Sequence, residues 1–328
     1  MQASYLKLFK SGGLAKRVKE SKQILESCTL CPRECKVNRL NGKLGFCKSG
    51  TEAVISSAGP HHGEEPPLSG FRGSGTIFFT GCNLRCLFCQ NYQISQEYEG
   101  QTIKTEELAQ TMLSLQKQGC HNINLVSPTH FVPQILEALL LAAEKGLTLP
   151  IVYNTNGYDT IETLKLLDGI IDIYLPDIKY SADKYAEEYS DAKHYVKYNR
   201  PALKEMYRQV GNLVTDENGA AERGVIIRHL VLPERIAGSF ESLDFIATEI
   251  SKHTYISLMS QYHPCYKAYQ HPVVNRRLKK AEYDEAVSYA EKLGLDNCYI
   301  QELTSSDDFL PDFRREKPFE ATDYTDLF

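Results

Sequence analysis

From Gly75 onward, short runs rich in β-branched and aromatic residues alternate with longer runs whose apolar positions recur at helical spacing. The strand candidates are residues 76–80, 123–126, 151–154, 171–175, 225–232 and 255–259, with a seventh at 298–300. Helix candidates lie between them at 106–118, 131–144, 161–167, 243–250 and 282–293. In the first of these, Leu108, Met112 and Leu115 share one face behind Thr105, a residue suited to capping. A strand–helix repeat predicts parallel strands covered by helices. About six such units fit a partial (β/α)6 barrel better than a closed eight-unit one. A doubly wound sheet stays open as a reading, because the pattern does not encode strand order.

The first 70 residues follow a different rule. A short helical candidate at 14–25 precedes four cysteines, with Gly42, Gly45 and Gly50 among them and Pro60, Pro66 and Pro67 after them. Such a segment has little to pack as a core and calls for a metal or a larger neighbour to hold it. The expected division is a cysteine-rich segment, 1–70, and a barrel core with C-terminal elements, 71–328.

Composition narrows the function classes only a little. The 328 residues are 42% hydrophobic and 24% charged, with a formal net charge of −5, so nothing global favours nucleic acid as a partner. No apolar run approaches the roughly 18 residues of a membrane span. The N-terminal stretch lacks an apolar core followed by a cleavage site, and a cytoplasmic protein is expected. Cysteine changes the picture. Seven of the ten lie between Cys28 and Cys89, and in a large chain without an export signal they read as metal ligands or redox thiols.

Cys82, Cys86 and Cys89 form CxxxCxxC directly after the apolar run ending at Phe79. Three thiolates suit three irons of a [4Fe–4S] cluster and leave the fourth iron open, as a catalytic centre requires. A zinc site completed by a further cysteine is the alternative. The loop sits at the carboxyl end of the first strand, where α/β folds place their sites. The motif resembles that of the radical S-adenosylmethionine superfamily, and the resemblance covers about residues 74–262. It implies a TIM-like partial barrel, and an open iron that binds the amino and carboxylate groups of S-adenosylmethionine. It also implies an electron donor of the flavodoxin or ferredoxin type. One electron then splits the sulfonium into methionine and a 5′-deoxyadenosyl radical. Phe88, just before the third cysteine, is implied to lie near the adenine.

The other candidates stand at strand ends. Related enzymes carry a Gly-Gly-Glu-Pro-like stretch where this chain has Ser127, Pro128 and Thr129, so a backbone contact to the cofactor is implied without the glutamate. His130 is a candidate for substrate or cofactor contact, or else a polar cap on the following helix. Asn154 and Asn156 suit a ribose or a carboxylate, or serve as turn formers beside Gly157. Asp177 and Lys179 follow an apolar strand, where unpaired burial is costly. They resemble the Asp-x-Lys of glycyl-radical activating enzymes, which faces cofactor or substrate; a structural ion pair is the alternative. Adjacent strand residues face opposite ways, so one of Arg228 and His229 points inward, and Arg228 is the expected one. Gln261 and Tyr262 are pocket candidates or ordinary loop residues. Cys265 is a hydrogen-donor candidate or incidental, and Cys120 and Cys298 read as packing.

Cys28, Cys31, Cys35 and Cys47 form a second set with no vacancy, which suits zinc, an auxiliary iron–sulfur cluster or simply reduced thiols. Together with His61, His62, Glu64, Glu65 and the run Gly73–Phe79, this arrangement resembles the pyruvate formate-lyase activating-enzyme-like branch. The histidines and glutamates either line the mouth of the site or form a solvated linker. Three functions follow. One is an activase that takes the α-hydrogen of a glycine on a partner glycyl-radical protein. Another is a radical enzyme that modifies or epimerises a small molecule or another peptide. The third, a non-catalytic iron–sulfur or zinc protein in redox or binding, fits an open iron poorly.

Overall fold

The computed structural model describes residues 2–302, 311–315 and 317–319. Its strands are β1 (Ala53–His61), β2 (Ser74–Phe79), β3 (Gln101–Ile103), β4 (Ile123–Val126), β5 (Ile151–Thr155), β6 (Ile173–Pro176), β7 (Val214–Thr215), β8 (Ala221–Leu230), β9 (Tyr255–Met259) and β10 (Cys298–Ile300). They lie in the order β10-β9-β8-β6-β5-β4-β2-β1-β3, with β7 paired to β8. From β2 through β10 every neighbour on this path is parallel and the next in sequence along it. A doubly wound sheet reverses its order part-way, and this one does not. Crossovers of one hand then put the helices on one face, and the strands curl into a partial barrel with an open seam.

All seven predicted strands are present; those at 123–126, 255–259 and 298–300 coincide at both ends, and the others are displaced by a few residues. Tyrosines and aliphatics at alternate positions, such as Tyr153 and Ile227, face the helices in the main core. Their neighbours Val152, Ile173, Leu175 and Ile226 fill the lower interior with Leu68, which sits on the short turn Pro66–Ser69. Above this apolar layer the inward positions turn polar at Asn154, Asp177 and Arg228. The chemistry therefore sits at the carboxyl ends of the strands.

Several elements differ from expectation. β1 runs antiparallel to β2, with an irregularity between Ile55 and Ser57, and β3 pairs with it only over Ala53, Val54 and Ile55, so its end at Gly59, Pro60 and His61 lies at the sheet edge. Gly59 and Pro60 disguise it as a loop, but an edge strand tolerates both. The helices Asp183–Ser190 and Tyr195–Val210 were not expected; the second carries Pro201 in its interior, a residue that argues against a helix. Thr105 is not the cap of its helix but its first residue. The cap is Lys104, whose N–H donates to Glu107 Oε2 at 2.9 Å, while Thr105 Oγ1 donates to Glu137.

The N-terminal segment is joined to the barrel at several points. Tyr5 Oη donates to the Leu147 carbonyl at 2.9 Å, Ser4 N–H donates to Asp172 Oδ1 at 2.8 Å, and Leu14, Val18 and Leu25 belong to the main core. No helix among the described residues is long and apolar enough to cross a membrane.

Candidate active site

The loop after β2 turns at Gly81, whose φ of 86° lies in the left-handed region. It hangs from the end of the helix Asp183–Ser190: Arg85 N–H donates to the Ser190 carbonyl and Leu87 N–H to the Tyr189 carbonyl, both at 2.9 Å. Each cysteine sulfur on it has a polar partner. Leu84 N–H and Asn156 Nδ2 donate to Cys82 Sγ at 3.4 and 3.3 Å, and Ser190 Oγ donates to Cys86 Sγ at 3.0 Å. Cys89 Sγ lies 3.3 Å from Ser95 Oγ. Burial, with Cys86 nearby, holds the Cys82 and Cys89 thiols above their ordinary range. Three half-buried sulfurs facing one cleft and supplied with hydrogen-bond donors suit metal-bound thiolate. Among the described residues no three His, Cys, Asp or Glu side chains converge tightly enough for one ion. A cluster that gives each thiolate its own iron does not ask for such convergence.

All three cysteines open onto a cleft of about 250 Å³. A chain of charged and polar groups lines the same cleft. Asp177 Oδ2 meets Lys179 Nζ at 2.6 Å, and Asp177 Oδ1 meets Arg228 Nε at 2.9 Å. Arg228 Nη2 donates to Asn154 Oδ1 at 2.6 Å, Asn154 Nδ2 donates to Glu64 Oε1 at 3.4 Å, and Glu64 Oε2 lies 3.9 Å from Arg228 Nη1. Burial pushes the Asp177 carboxyl up, but Arg228 and Lys179 outweigh it and hold it below the usual carboxylate range. Burial dominates at the two glutamates, raising Glu64 and taking Glu65 to about 7, against the pull of Arg228. The helix Tyr195–Val210 braces these groups: Tyr195 Oη donates to the Asn156 carbonyl, and Asn199 Nδ2 to the Asp177 carbonyl.

Most of the expected residues meet here. Phe88, Ser127, Asn154, Asn156, Asp177, Lys179, Arg228, Gln261 and Tyr262 all line the cleft with the cysteines. Ser127 has a φ of 56°, a left-handed backbone that costs a serine strain and a glycine none. Tyr262 offers its ring, 5.5 Å from Phe88, since its hydroxyl donates to the Val274 carbonyl. Pro128, Thr129 and His130 do not line the cleft. Thr129 Oγ1 donates to buried Asp159, and the His130 ring nitrogen Nε2 lies 2.9 Å from the Thr80 carbonyl. Burial lowers the His130 pKa to about 4. His229, facing away from Arg228, bonds Ile178 and Ser239. Cys265 is buried with its sulfur 3.4 Å from the Phe88 carbonyl, and Cys120 is buried in the main core.

Of the polar cluster expected either at the mouth of the site or in a solvated linker, His61 and Glu64 line the cleft. Phe319 also lines it and gave no signal in the sequence; its ring lies tilted 4.2 Å from that of His61.

The model for the radical SAM superfamily matches residues 76–217, a span holding the cysteine loop and the strand ends through β6. An uncharacterized protein of Methanocaldococcus jannaschii, MJ0674, is 35% identical over 86% of this chain and 80% of its own length. The chain belongs to the radical SAM superfamily. A second protein of that organism, MJ0808, is 30% identical over 48% of the chain. The putative glycyl-radical enzyme activating enzyme MJ1227 is 32% identical over 35%. These two matches span about half of each relative, 50% and 47%. Among solved structures, the FeFe-hydrogenase maturase HydG from Carboxydothermus hydrogenoformans gives a TM-score of 0.47 at 13% identity, over 70% of this chain and 53% of its own. Methylornithine synthase gives 0.44 at 15% identity, over 65% and 60%. Membership of this superfamily implies a [4Fe–4S] cluster and S-adenosylmethionine, and its enzymes typically use a one-electron donor.

Proposed function

We propose that Cys82, Cys86 and Cys89 hold the catalytic cluster and that the cleft seats S-adenosylmethionine with the hydrogen to be abstracted. The supporting observation is the single cleft that Asp177, Lys179, Arg228 and Asn154 line together with the three cysteines. The bound cluster supplies the electron that releases a 5′-deoxyadenosyl radical from S-adenosylmethionine. The chain's own residues orient and shield. Lys179 and Arg228 present cationic groups to a carboxylate, Asn154, Asn156 and Ser127 offer amide, hydroxyl and backbone contacts, and Phe88 and Tyr262 give the adenine an apolar face.

For the substrate, an activase-like reaction on a glycine of a partner protein leads, on the likeness to MJ1227. A compact small molecule is the second reading. It is favoured by Phe319, which lines the cleft and packs against Phe78 with Phe313 behind it. We also propose that Cys28, Cys31, Cys35 and Cys47 hold a second metal group within a segment, 1–70, specialised for it.

The test follows the hydrogen. Reduced, reconstituted enzyme receives unlabelled S-adenosylmethionine and deuterated cell extract split into protein and small-molecule fractions. Deuterium in 5′-deoxyadenosine from the protein fraction supports the activase reading, and label from the other fraction replaces it with the second. Cys86→Ala should abolish cleavage of S-adenosylmethionine; retained cleavage would remove the site.

A further inference from the structure

The second cysteine set is not a remote appendage. Its four cysteines surround a small cavity walled by Leu30, Val37 and Phe46. Phe46 N–H donates to Cys35 Sγ at 3.4 Å, and a Cβ on Gly45 would stand 2.9 Å from that sulfur, so the loop closes around it. As at the catalytic loop, no three of these thiols converge as one zinc ion would require. Four thiolates around an apolar cavity, each reaching its own iron, satisfy this spacing.

The barrel closes the cavity with two residues, His130 after β4 and, from the catalytic loop, Asn83, the residue after Cys82. The Cys47 carbonyl lies against Gly81, where a Cβ would come within 2.8 Å of it. Phe46 is clasped between two guanidinium groups, with Arg33 at 3.6 Å and Arg85 at 4.1 Å from the ring centroid. Arg85 Nη1 donates to the Cys82 carbonyl at 2.8 Å and its Nη2 to the Phe46 carbonyl, while Arg33 Nε donates to the Asn83 carbonyl at 2.9 Å. Cys47 and Cys82 are thus joined by packed atoms and two bridging arginines, a short and rigid route for an electron.

We propose that Cys28, Cys31, Cys35 and Cys47 hold an auxiliary iron–sulfur cluster that relays the single electron to the catalytic cluster. This rests on reading the set as a metal site. A low-potential flavin or iron–sulfur protein loses one electron, and the auxiliary cluster takes it and passes it on. The electron ends on the sulfonium of S-adenosylmethionine, where the carbon–sulfur bond breaks; no proton moves in the relay. Gly81, Phe46, Arg33 and Arg85 are positioning residues that hold the two loops in contact.

The experiment uses the full chain reconstituted without oxygen. A variant with Cys82, Cys86 and Cys89 all replaced by Ala should retain about four irons with matching acid-labile sulfide. Zinc without sulfide would overturn the relay and leave the metal site standing, whereas no metal would end both. With Cys35→Ser plus Cys47→Ser, the catalytic cluster's paramagnetic signal should still form fully with dithionite. Its formation with reduced flavodoxin, followed by freeze-quench, should slow at least about tenfold; an equal rate overturns the relay. Should that variant fail to fold, the unaltered protein decides. Its fully reduced spectrum should show magnetic interaction between two clusters, and two independent signals would overturn their adjacency.

Discussion

Arg228 carries most of the electrostatic burden of the cleft, because it faces Asp177, Asn154 and Glu64 at once. Removing one partner of a mostly buried ion pair leaves the others desolvated and unpaired. Arg228→Met should therefore cost about 2 kcal/mol, a figure lowered by the Lys179 contact that stays with Asp177. Urea unfolding checks this, and an unchanged midpoint would remove the pairing from the account. Glu65 behaves oppositely. Its Oε2 is buried without a partner, and burial raises the carboxyl to about 7. The folded protein thus holds this proton more tightly than the unfolded chain. The group costs nothing below its unfolded value and progressively destabilises as pH rises toward 7. Glu65→Gln should gain on the parent between pH 5 and pH 8, by up to about 3 kcal/mol at the ceiling set by the shift. Melting temperatures at the two pH values test it; a constant gap would mean that Glu65 does not titrate in this range.

Among elements, legibility followed the strength of local pattern. The parallel strands were readable because each is a buried run bounded by turn residues, and the helix Thr105–Lys117 because its apolar face is regular. β1 was not, since most of its positions are only half-buried and carry no continuous apolar run. The helix Tyr195–Val210 was hidden by Pro201 and by its polar inward residues Asn199 and Gln209, which serve the site and the core rather than a hydrophobic stripe. At the site, alternation along β8 correctly separated Arg228 from His229. Glu64 stayed obscure because its role depends on a loop folding back over the barrel, a contact between distant positions that no local pattern records. Gly81 joins the two cysteine loops and tests their contact. Gly81→Ala adds a side chain at positive φ and aims it at the Cys47 carbonyl. A loss of about 2 kcal/mol and lower iron retention after desalting are expected. Unchanged iron content would show that the loops do not depend on each other.

For the molecule as a whole, the N-terminal helices act as part of the core. Tyr5, Leu6, Leu14, Val18 and Leu25 are all buried. At about 2 kcal/mol each, their burial is worth on the order of 10 kcal/mol, comparable with the whole stability of a typical domain. Deleting residues 1–27 should therefore yield protein that aggregates or lacks a cooperative melt. A soluble product melting at the parental temperature would make the segment dispensable. The remaining segment is tied to surfaces far along the chain: the Leu30 carbonyl accepts from Thr163 Oγ1, and Arg33 reaches Asp191. A ribosome delivers the cysteines of this segment well before it delivers Thr163 or Asp191. For that interval, four thiols wait in a nascent chain with nothing to shelter them. On the proposal that these thiols hold a metal, whatever inserts it must either act on the exposed loop during translation or wait until Asp191 has emerged.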